Sequence, residues 1–208
     1  MRPFLSPAGC PPGRSFLRAD FIIDTPSSHS NNASRTGPSA PGGRIQVDCI
    51  DATGHLPAAD LRWLAEKLAA GGDELRVGGE VRVRVVGDAE MQGLHARYCN
   101  DPTTTDVLTF DLAEGAAAAQ AAAGGVAELN VDIVVCLDEA RRQAAMRGHE
   151  ARRELLLYGV HGMLHCLGYD DHDDQAFAAM HEREDAVLRA IGIGATFAVL
   201  PRQQGGEP

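Results

Sequence analysis

The chain has 208 residues, 44% of them hydrophobic, which suffices for one ordinary domain with a real core and some length to spare. No run approaches the roughly 18 consecutive apolar residues of a membrane-spanning helix, which argues against a helical membrane protein and predicts a soluble one. The 19 Lys and Arg against 29 Asp and Glu give a net charge of −10. This balance excludes nucleic-acid binding driven by overall charge. An acidic protein can still carry a local basic patch that binds nucleic acid.

The cysteines and the N-terminus predict a cytoplasmic protein. The number of cysteines is odd, their spacing is irregular, and no Cys-x-x-Cys pair occurs, so we expect reduced thiols rather than a disulfide framework. The first residues contain arginines but no continuous apolar stretch, and no secretory signal is predicted. The five cysteines are Cys10, Cys49, Cys99, Cys136 and Cys166.

Composition divides the chain into three parts. Residues 1–43 are rich in Pro, Ser, Gly and Asn, and such a segment buries too little apolar surface to offset its ordering entropy. We interpret it as a disordered N-terminal extension, or as the result of a wrongly chosen start codon. Residues 44–195 are predicted to form the domain, and residues 196–208 a C-terminal tail.

The first half of the domain alternates strands and helices. Residues 44–50 and 81–85 show the period of two that is typical of half-buried strands. Residues 60–70 have leucines at helical spacing, and Gly71-Gly72 is expected to end that helix. A second helix is predicted over 88–98, with the aspartate at its first position acting as the N-cap.

The second half begins with strands and ends in helices. Strands are predicted over 106–112 and 129–136, and the Ala/Gly tract of 115–125 between them is interpreted as a loop insertion whose alanines could form a helical turn. Three helices then follow, over about 137–147, 151–167 and 174–191. The order predicts an α+β fold, with a small four-stranded mixed sheet packed against about five helices.

The segment from His161 to His172 suggests a metal site on a helix and its following turn. His161 and His165 are four residues apart, which places both imidazoles on one helix face, where they can share a metal ion. Gly168 can end the helix in a left-handed conformation and let the chain return toward the pair. We predict about one zinc-like ion per chain.

Two residues compete for the place of third ligand. Asp171 lies six residues after His165 and completes a His-x-x-Gly-x-x-ligand spacing. His172 lies one residue further and is the more usual zinc ligand by type. Three protein ligands would leave a fourth position for water, which is the catalytic arrangement.

The general base is not identified by this segment. Zinc proteases of the His-Glu-x-x-His type carry their base directly after the first histidine, and here that residue is Gly162. Peptide hydrolysis is therefore the second hypothesis. A third is a non-catalytic ribosome-associated factor in which the metal only braces the helices.

The sequence resembles the YbeY family over roughly residues 45–192. His161-Gly162-x-Leu164-His165-x-Leu167-Gly168-Tyr169-Asp170 is similar to the family signature. Two further pieces match: Leu94, Tyr98 and Thr105 to Phe110 upstream, then Met180 and Glu184 downstream. The resemblance implies a metal-dependent endoribonuclease, specific for single strands, that acts in ribosomal RNA maturation. Its implied partners are ribosomal RNA and ribosomal proteins, and its implied cofactor is a metal ion.

Three positions depart from the family pattern. Asp171 stands where a third histidine is usual, although some relatives carry aspartate there. Cys99 replaces an arginine implicated in catalysis, and Arg97 lies two residues earlier. Val131-Asp132 replaces a usual Gly-Asp pair.

Other polar residues are expected to lie on the surface. His95, His149 and His181 are predicted as surface histidines. A dense basic stretch has two interpretations: a solvated, salt-bridged surface, which interleaved glutamates favour, or a phosphate-binding rim. This stretch consists of Arg141, Arg142, Arg147, Arg152 and Arg153.

Overall fold

The computed structural model describes residues 44–196, so the predicted extension and all but the first residue of the predicted tail lie outside the described residues. Of the helices in this part of the chain, none combines the length and apolarity that a bilayer crossing requires. The elements are β1 (Ile45–Asp51), α1 (Ala58–Leu75), β2 (Val77–Val86), α2 (Asp88–Cys99), β3 (Val107–Asp111), α3 (Ala116–Ala122), β4 (Ala127–Cys136), α4 (Leu137–Arg147), α5 (Ala151–Cys166) and α6 (Asp174–Ala190).

The four strands form one mixed sheet in the order β1-β2-β4-β3. Strands β1, β2 and β4 run parallel, whereas β3 pairs antiparallel with β4 at the edge. The predicted α+β class with a four-stranded mixed sheet is confirmed.

The two faces of the sheet carry cores of unequal size. Val81 of β2 and Ile133 of β4 face the larger core, which the leucines of α1 and α5 and the end of α6 complete. The alternate residues, such as Val134, pack with Met91 of α2 in a smaller cluster on the opposite face. Helix α5 is therefore held against the sheet on its more heavily covered side.

The Ala/Gly tract contains a sixth helix in place of the predicted loop insertion. Helix α3 occupies it, because alanine is the best helix former and Gly115 and Gly124, both at positive φ, flank the run. Ala117 is fully buried, and the Gln120 side chain accepts a 2.8 Å hydrogen bond from the Glu128 backbone N–H. These contacts fix α3 against β4.

The prediction that Gly71-Gly72 ends α1 is wrong, since the helix continues to Leu75. A Cβ on Gly72 would lie 2.6 Å from Cδ1 of Ile45. The glycine therefore lets α1 approach β1 closely, and this packing outweighs its low helix propensity.

The expected N-cap role of Asp88 is also wrong. The N-cap is Gly87, and Asp138 accepts the Asp88 backbone N–H at 2.9 Å. The Asp88 carboxylate instead accepts two hydrogen bonds from the Arg142 guanidinium, at 2.7 and 2.8 Å. The pair ties α2 to α4.

The prediction of reduced thiols holds for three of the cysteines within 44–196. Cys49, Cys136 and Cys166 are free thiols, and burial raises the pKa of each to about 12. Cys99 is not among these free thiols.

Candidate metal centre

Helix α5 brings His161 and His165 together near its C-terminal end. The helix is buried from Glu154 onward except near its C-terminal end, where His161 is 5% exposed and the His165 side chain is one-quarter exposed. The two rings meet edge to face with centroids 4.5 Å apart. The shared helix face predicted from their spacing is thus present.

The hydrogen bonds of the two rings fix which nitrogen carries hydrogen. His161 Nδ1 donates to the Glu184 carboxylate at 2.6 Å, and His165 Nδ1 donates to the backbone carbonyl of Tyr169 at 3.1 Å. Each Nε2 is then left with its lone pair, and the two Nε2 atoms are 2.9 Å apart. With both rings neutral, two lone pairs that face one another at this distance repel, and either a proton or a metal cation between them removes the repulsion.

The turn after α5 delivers Asp171 to the same point. Gly168 has φ of 91°, which lets the chain reverse directly after the helix. The Asp171 oxygens lie 4.0 Å from His161 Nε2 and 3.9 Å from His165 Nε2. The side chain is 2% exposed, and Oδ1 is buried without a hydrogen-bond partner among the described residues.

These three side chains fit a zinc ion. Their ligand atoms all lie within 4.8 Å of one another. Tetrahedral zinc with ligands at about 2.0–2.1 Å separates them by about 3.3 Å, between the observed nitrogen–nitrogen and nitrogen–oxygen distances. One divalent cation at this point would bind the buried carboxylate oxygen that lacks a donor and would also bind the two facing lone pairs.

His172 lies outside this convergence. Its side chain is 59% exposed, and its ring bonds to the Asp170 carboxylate. A second group of potential ligands, Asp170, Asp171 and His172, is mostly exposed and does not include the histidine pair. The structure therefore brings Asp171, and not His172, to the two imidazoles.

Reasoning from the sequence did not assign a role to Glu184, a buried carboxylate that contacts His161. Glu184 on α6 is 1% exposed and accepts hydrogen bonds from both His161 and His181, each at 2.6 Å. His181 and His95 are buried, so their prediction as surface histidines is wrong. The signal for Glu184 was its place in the downstream family motif, but its contact with His161 required the packing of α6 on α5.

The charges around the pair act on their pKa values in opposite directions. Burial and the neighbouring His161 lower the pKa of His165. Burial also disfavours the charged form of His161, but Glu184, Asp106 and Asp171 together raise its pKa. Burial raises the pKa of Asp106, just before β3, to about 6, against the effect of the His161 charge.

Replacement of Glu184 by Gln is expected to weaken metal binding by about tenfold to a hundredfold, because the partner that orients His161 loses its charge. The measurement is the zinc dissociation constant by competition with a chromogenic chelator. Glu182→Gln, an exposed position on the same helix, is the matched control. Equal affinity in Glu184→Gln and wild type would show that His161 needs no charged partner.

Gly162 explains why the base of the zinc proteases is absent. A Cβ at this position would lie 2.6 Å from Oγ1 of Thr109 and 3.1 Å from Cδ1 of Ile133. The helix therefore packs too closely on β3 and β4 for any side chain to follow His161. This contact disfavours peptidase chemistry of the His-Glu-x-x-His type.

Gly162→Ala is expected to lower the free energy of unfolding by about 1–3 kcal/mol through overpacking. Urea denaturation measures the loss. Gly93→Ala on α2 is the control, because nothing lies within 4 Å of the position that its methyl group would take and alanine favours the helix. Comparable stability of the two variants would contradict the close packing of α5.

The family model described as Endoribonuclease YbeY matches residues 52–192, a range that includes the whole candidate centre. The chain belongs to the YbeY family. The resemblance predicted from the sequence motifs is therefore confirmed.

Individual YbeY relatives agree over most of the domain. Endoribonuclease YbeY of Geobacillus thermodenitrificans is 32% identical over 152 residues, 72% of this chain and 97% of the relative. That of Macrococcus caseolyticus is 33% identical over 151 residues, with the same shares. The solution structure of TM1509 from Thermotoga maritima matches with a TM-score of 0.50 at 25% identity, covering 71% of this chain and 88% of that one.

Cys99, where the family resemblance led us to expect an arginine, lies away from the helix that carries the candidate centre. Cys99 is the last residue of α2, whose buried residues pack on the sheet face opposite α5. Arg97 lies with its guanidinium 5.3 Å from the Tyr98 ring centre, and Tyr98 in turn meets Phe110 edge to face.

The basic stretch forms ion pairs rather than an open rim. Arg142 binds Asp88 and Glu139, Arg147 binds the buried Glu154, and Arg152 binds Asp60 and Glu150. Arg153 donates to the carbonyls of residues 194 and 195. Arg152 also precedes His161 by nine residues, about 13 Å along the helix. These contacts support the interpretation of the basic stretch as a salt-bridged surface rather than a phosphate-binding rim.

Proposed function

We propose that the protein is a metal-dependent endoribonuclease that cleaves single-stranded RNA in ribosomal RNA maturation, with one zinc ion held by His161, His165 and Asp171. Membership of the YbeY family supports the reaction class. The observation that carries the assignment of the site is the convergence of two oriented Nε2 atoms and a buried carboxylate without a donor.

A bound zinc ion supplies Lewis-acid chemistry, polarising a phosphoryl oxygen or lowering the pKa of a bound water. The chain's own residues prepare the site. Glu184 holds the proton of His161 on Nδ1, and the Tyr169 carbonyl does the same for His165, so both Nε2 atoms stay available. The negative charge of Asp171 lowers the total charge of the site by one relative to three histidines, which would make a metal-bound water less acidic.

The proposal includes a setting and partners. Ribosomal RNA is the substrate, ribosomal proteins are candidate partners, and the cytoplasm is the expected location. Because the arginines of the basic stretch are paired with carboxylates, other cations near the centre are better candidates for substrate contacts.

Two other functions make different predictions. Hydrolysis of a peptide would use the same metal, but Gly162 leaves no room for the usual base. A non-catalytic ribosome-associated factor would need the metal only to brace α5 and the following turn. We favour RNA cleavage because the relatives that match nearly their full length are endoribonucleases by name.

The test uses the purified full chain, a structured ribosomal RNA fragment and a casein-type peptide substrate, each with and without chelator. Chelator-sensitive cuts in single-stranded RNA alone support the proposal. Cleavage of peptide alone identifies the second function. Bound zinc without cleavage of either substrate identifies the third.

A further inference from the structure

A cleft of about 380 Å³ opens beside the metal centre. Its walls come from the junction of α1 and β2, from the connection between α3 and β4, from the turn after α5 and from α6. This volume lies at the lower end of the range for small-ligand sites, about 300–1,000 Å³.

Tyr169 connects the cleft to the metal centre. The residue lines the cleft and is 37% exposed, while its backbone carbonyl accepts the hydrogen bond of His165. Asp171 follows two residues later, so the Cα atoms of Tyr169 and Asp171 are at most about 7 Å apart. A ligand in the cleft therefore lies next to the metal site.

Two arginines line the cleft without a carboxylate partner among the described residues. Arg76 and Arg183 both line it, and neither makes an ion pair with a residue between 44 and 196. The arginines of α4, by contrast, each pair with carboxylates. Two cations without a carboxylate partner give a local basic site on a chain with net charge −10.

The cleft also exposes apolar surface. Val126 is 52% exposed and Tyr169 37% exposed, and both line the cleft. An accessible aromatic ring beside unpaired cations is the combination that binds single-stranded nucleic acid, because the ring stacks on a base while the cations contact phosphates.

We propose that this cleft is a subsite for one nucleotide of single-stranded RNA, beside the phosphate that is cut. The Tyr169 ring stacks on the base, and Arg76 and Arg183 contact the flanking phosphates. The choice of RNA as ligand rests on the proposed function. Contacts to phosphate and to a base face make the subsite selective for single strands but tolerant of sequence.

The test measures binding of a fluorescein-labelled ten-nucleotide 2′-O-methyl oligouridylate to the zinc-loaded full chain between 50 and 200 mM salt, with probe integrity checked by gel. Arg76→Gln/Arg183→Gln is expected to bind about tenfold more weakly, with a salt slope shallower by about 1.4, since each single-strand phosphate contact contributes about 0.7. Arg44→Gln/Arg62→Gln removes the same charge from exposed positions outside the cleft and should change neither quantity by as much.

Tyr169 is tested by two substitutions. Tyr169→Ala is expected to weaken oligouridylate binding by about tenfold, and Tyr169→Phe should restore it, because the ring alone stacks. Both changes leave intact the backbone carbonyl that His165 uses.

The outcomes separate the subsite from the proposed function. Equal affinities and slopes in the cleft and control pairs overturn the subsite, as does weaker binding that only accompanies loss of bound zinc. A defect confined to binding of a protein, with oligouridylate binding unchanged, also overturns it. If the cleft variants lose oligouridylate binding while wild type shows no chelator-sensitive RNA cleavage, the subsite stands and the proposed function fails. If wild type shows chelator-sensitive RNA cleavage and the cleft variants bind oligouridylate normally, the proposed function stands and the subsite is overturned.

Discussion

Substitution of His161 or His165 by alanine is expected to weaken zinc binding on the order of a hundredfold and to abolish chelator-sensitive RNA cleavage. Binding of structural zinc through four ligands yields about 10–16 kcal/mol, so one ligand accounts for about 3 kcal/mol. His161→Ala also removes the donor to the buried Glu184 carboxylate, which then faces only His181.

Zinc content by atomic spectroscopy and cleavage of a ribosomal RNA fragment are the two measurements. His55→Ala, an exposed histidine far along the chain from α5, should retain both zinc and activity. Chelator applied to wild type should reproduce the activity loss, and added zinc should restore it. Full zinc occupancy in the His161→Ala/His165→Ala double variant would show that the metal binds elsewhere.

The local sequence was sufficient to predict the histidine pair. A spacing of four residues on a helix puts two side chains on one face whatever the surrounding fold, and Gly168 at positive φ ends the helix as its position suggested. The alternating strands and the mixed α+β sheet were predictable for the same reason, because periods of 2 and 3.6 are local properties.

Residues whose roles depend on distant packing were not predictable. Glu184 reaches His161 from 23 residues away, and nothing in the composition of α6 indicates that its carboxylate is buried between two imidazoles. Gly72 looked like a helix terminator, but its neighbour Ile45 comes from another strand. In each case a tertiary contact outweighed the local preference.

The cleft was not predictable from the sequence either, because its residues meet only through tertiary packing. Arg76, Val126, Tyr169 and Arg183 lie in four separate parts of the sequence and meet only because α6 packs on α5 and the α3–β4 connection reaches the start of β2. The dense basic stretch, which was conspicuous in the sequence, is instead neutralised by carboxylates. Clustering of charge along the chain therefore did not indicate which arginines lack a carboxylate partner among the described residues.

Replacement of Asp171 by alanine is expected to cost about a hundredfold in zinc affinity, and replacement of His172 almost nothing. The Asp171 carboxylate is buried within 4.0 Å of both Nε2 atoms, and its Oδ1 has no hydrogen-bond partner among the described residues. The His172 ring is mostly exposed and engaged by Asp170, so its loss removes only a surface contact.

Asp171→His should be tolerated, because an imidazole nitrogen binds zinc at about the same distance as a carboxylate oxygen. The site would then gain one positive charge, and activity should extend to lower pH because the bound water becomes more acidic. Zinc affinity of the three variants and the pH profile of Asp171→His are the measurements. If His172→Ala strips the metal while Asp171→Ala retains it, the turn is shifted by one residue and the site has three histidines. The geometry of the turn favours the carboxylate, since Gly168 reverses the chain so that the sixth residue after His165, rather than the seventh, faces the pair.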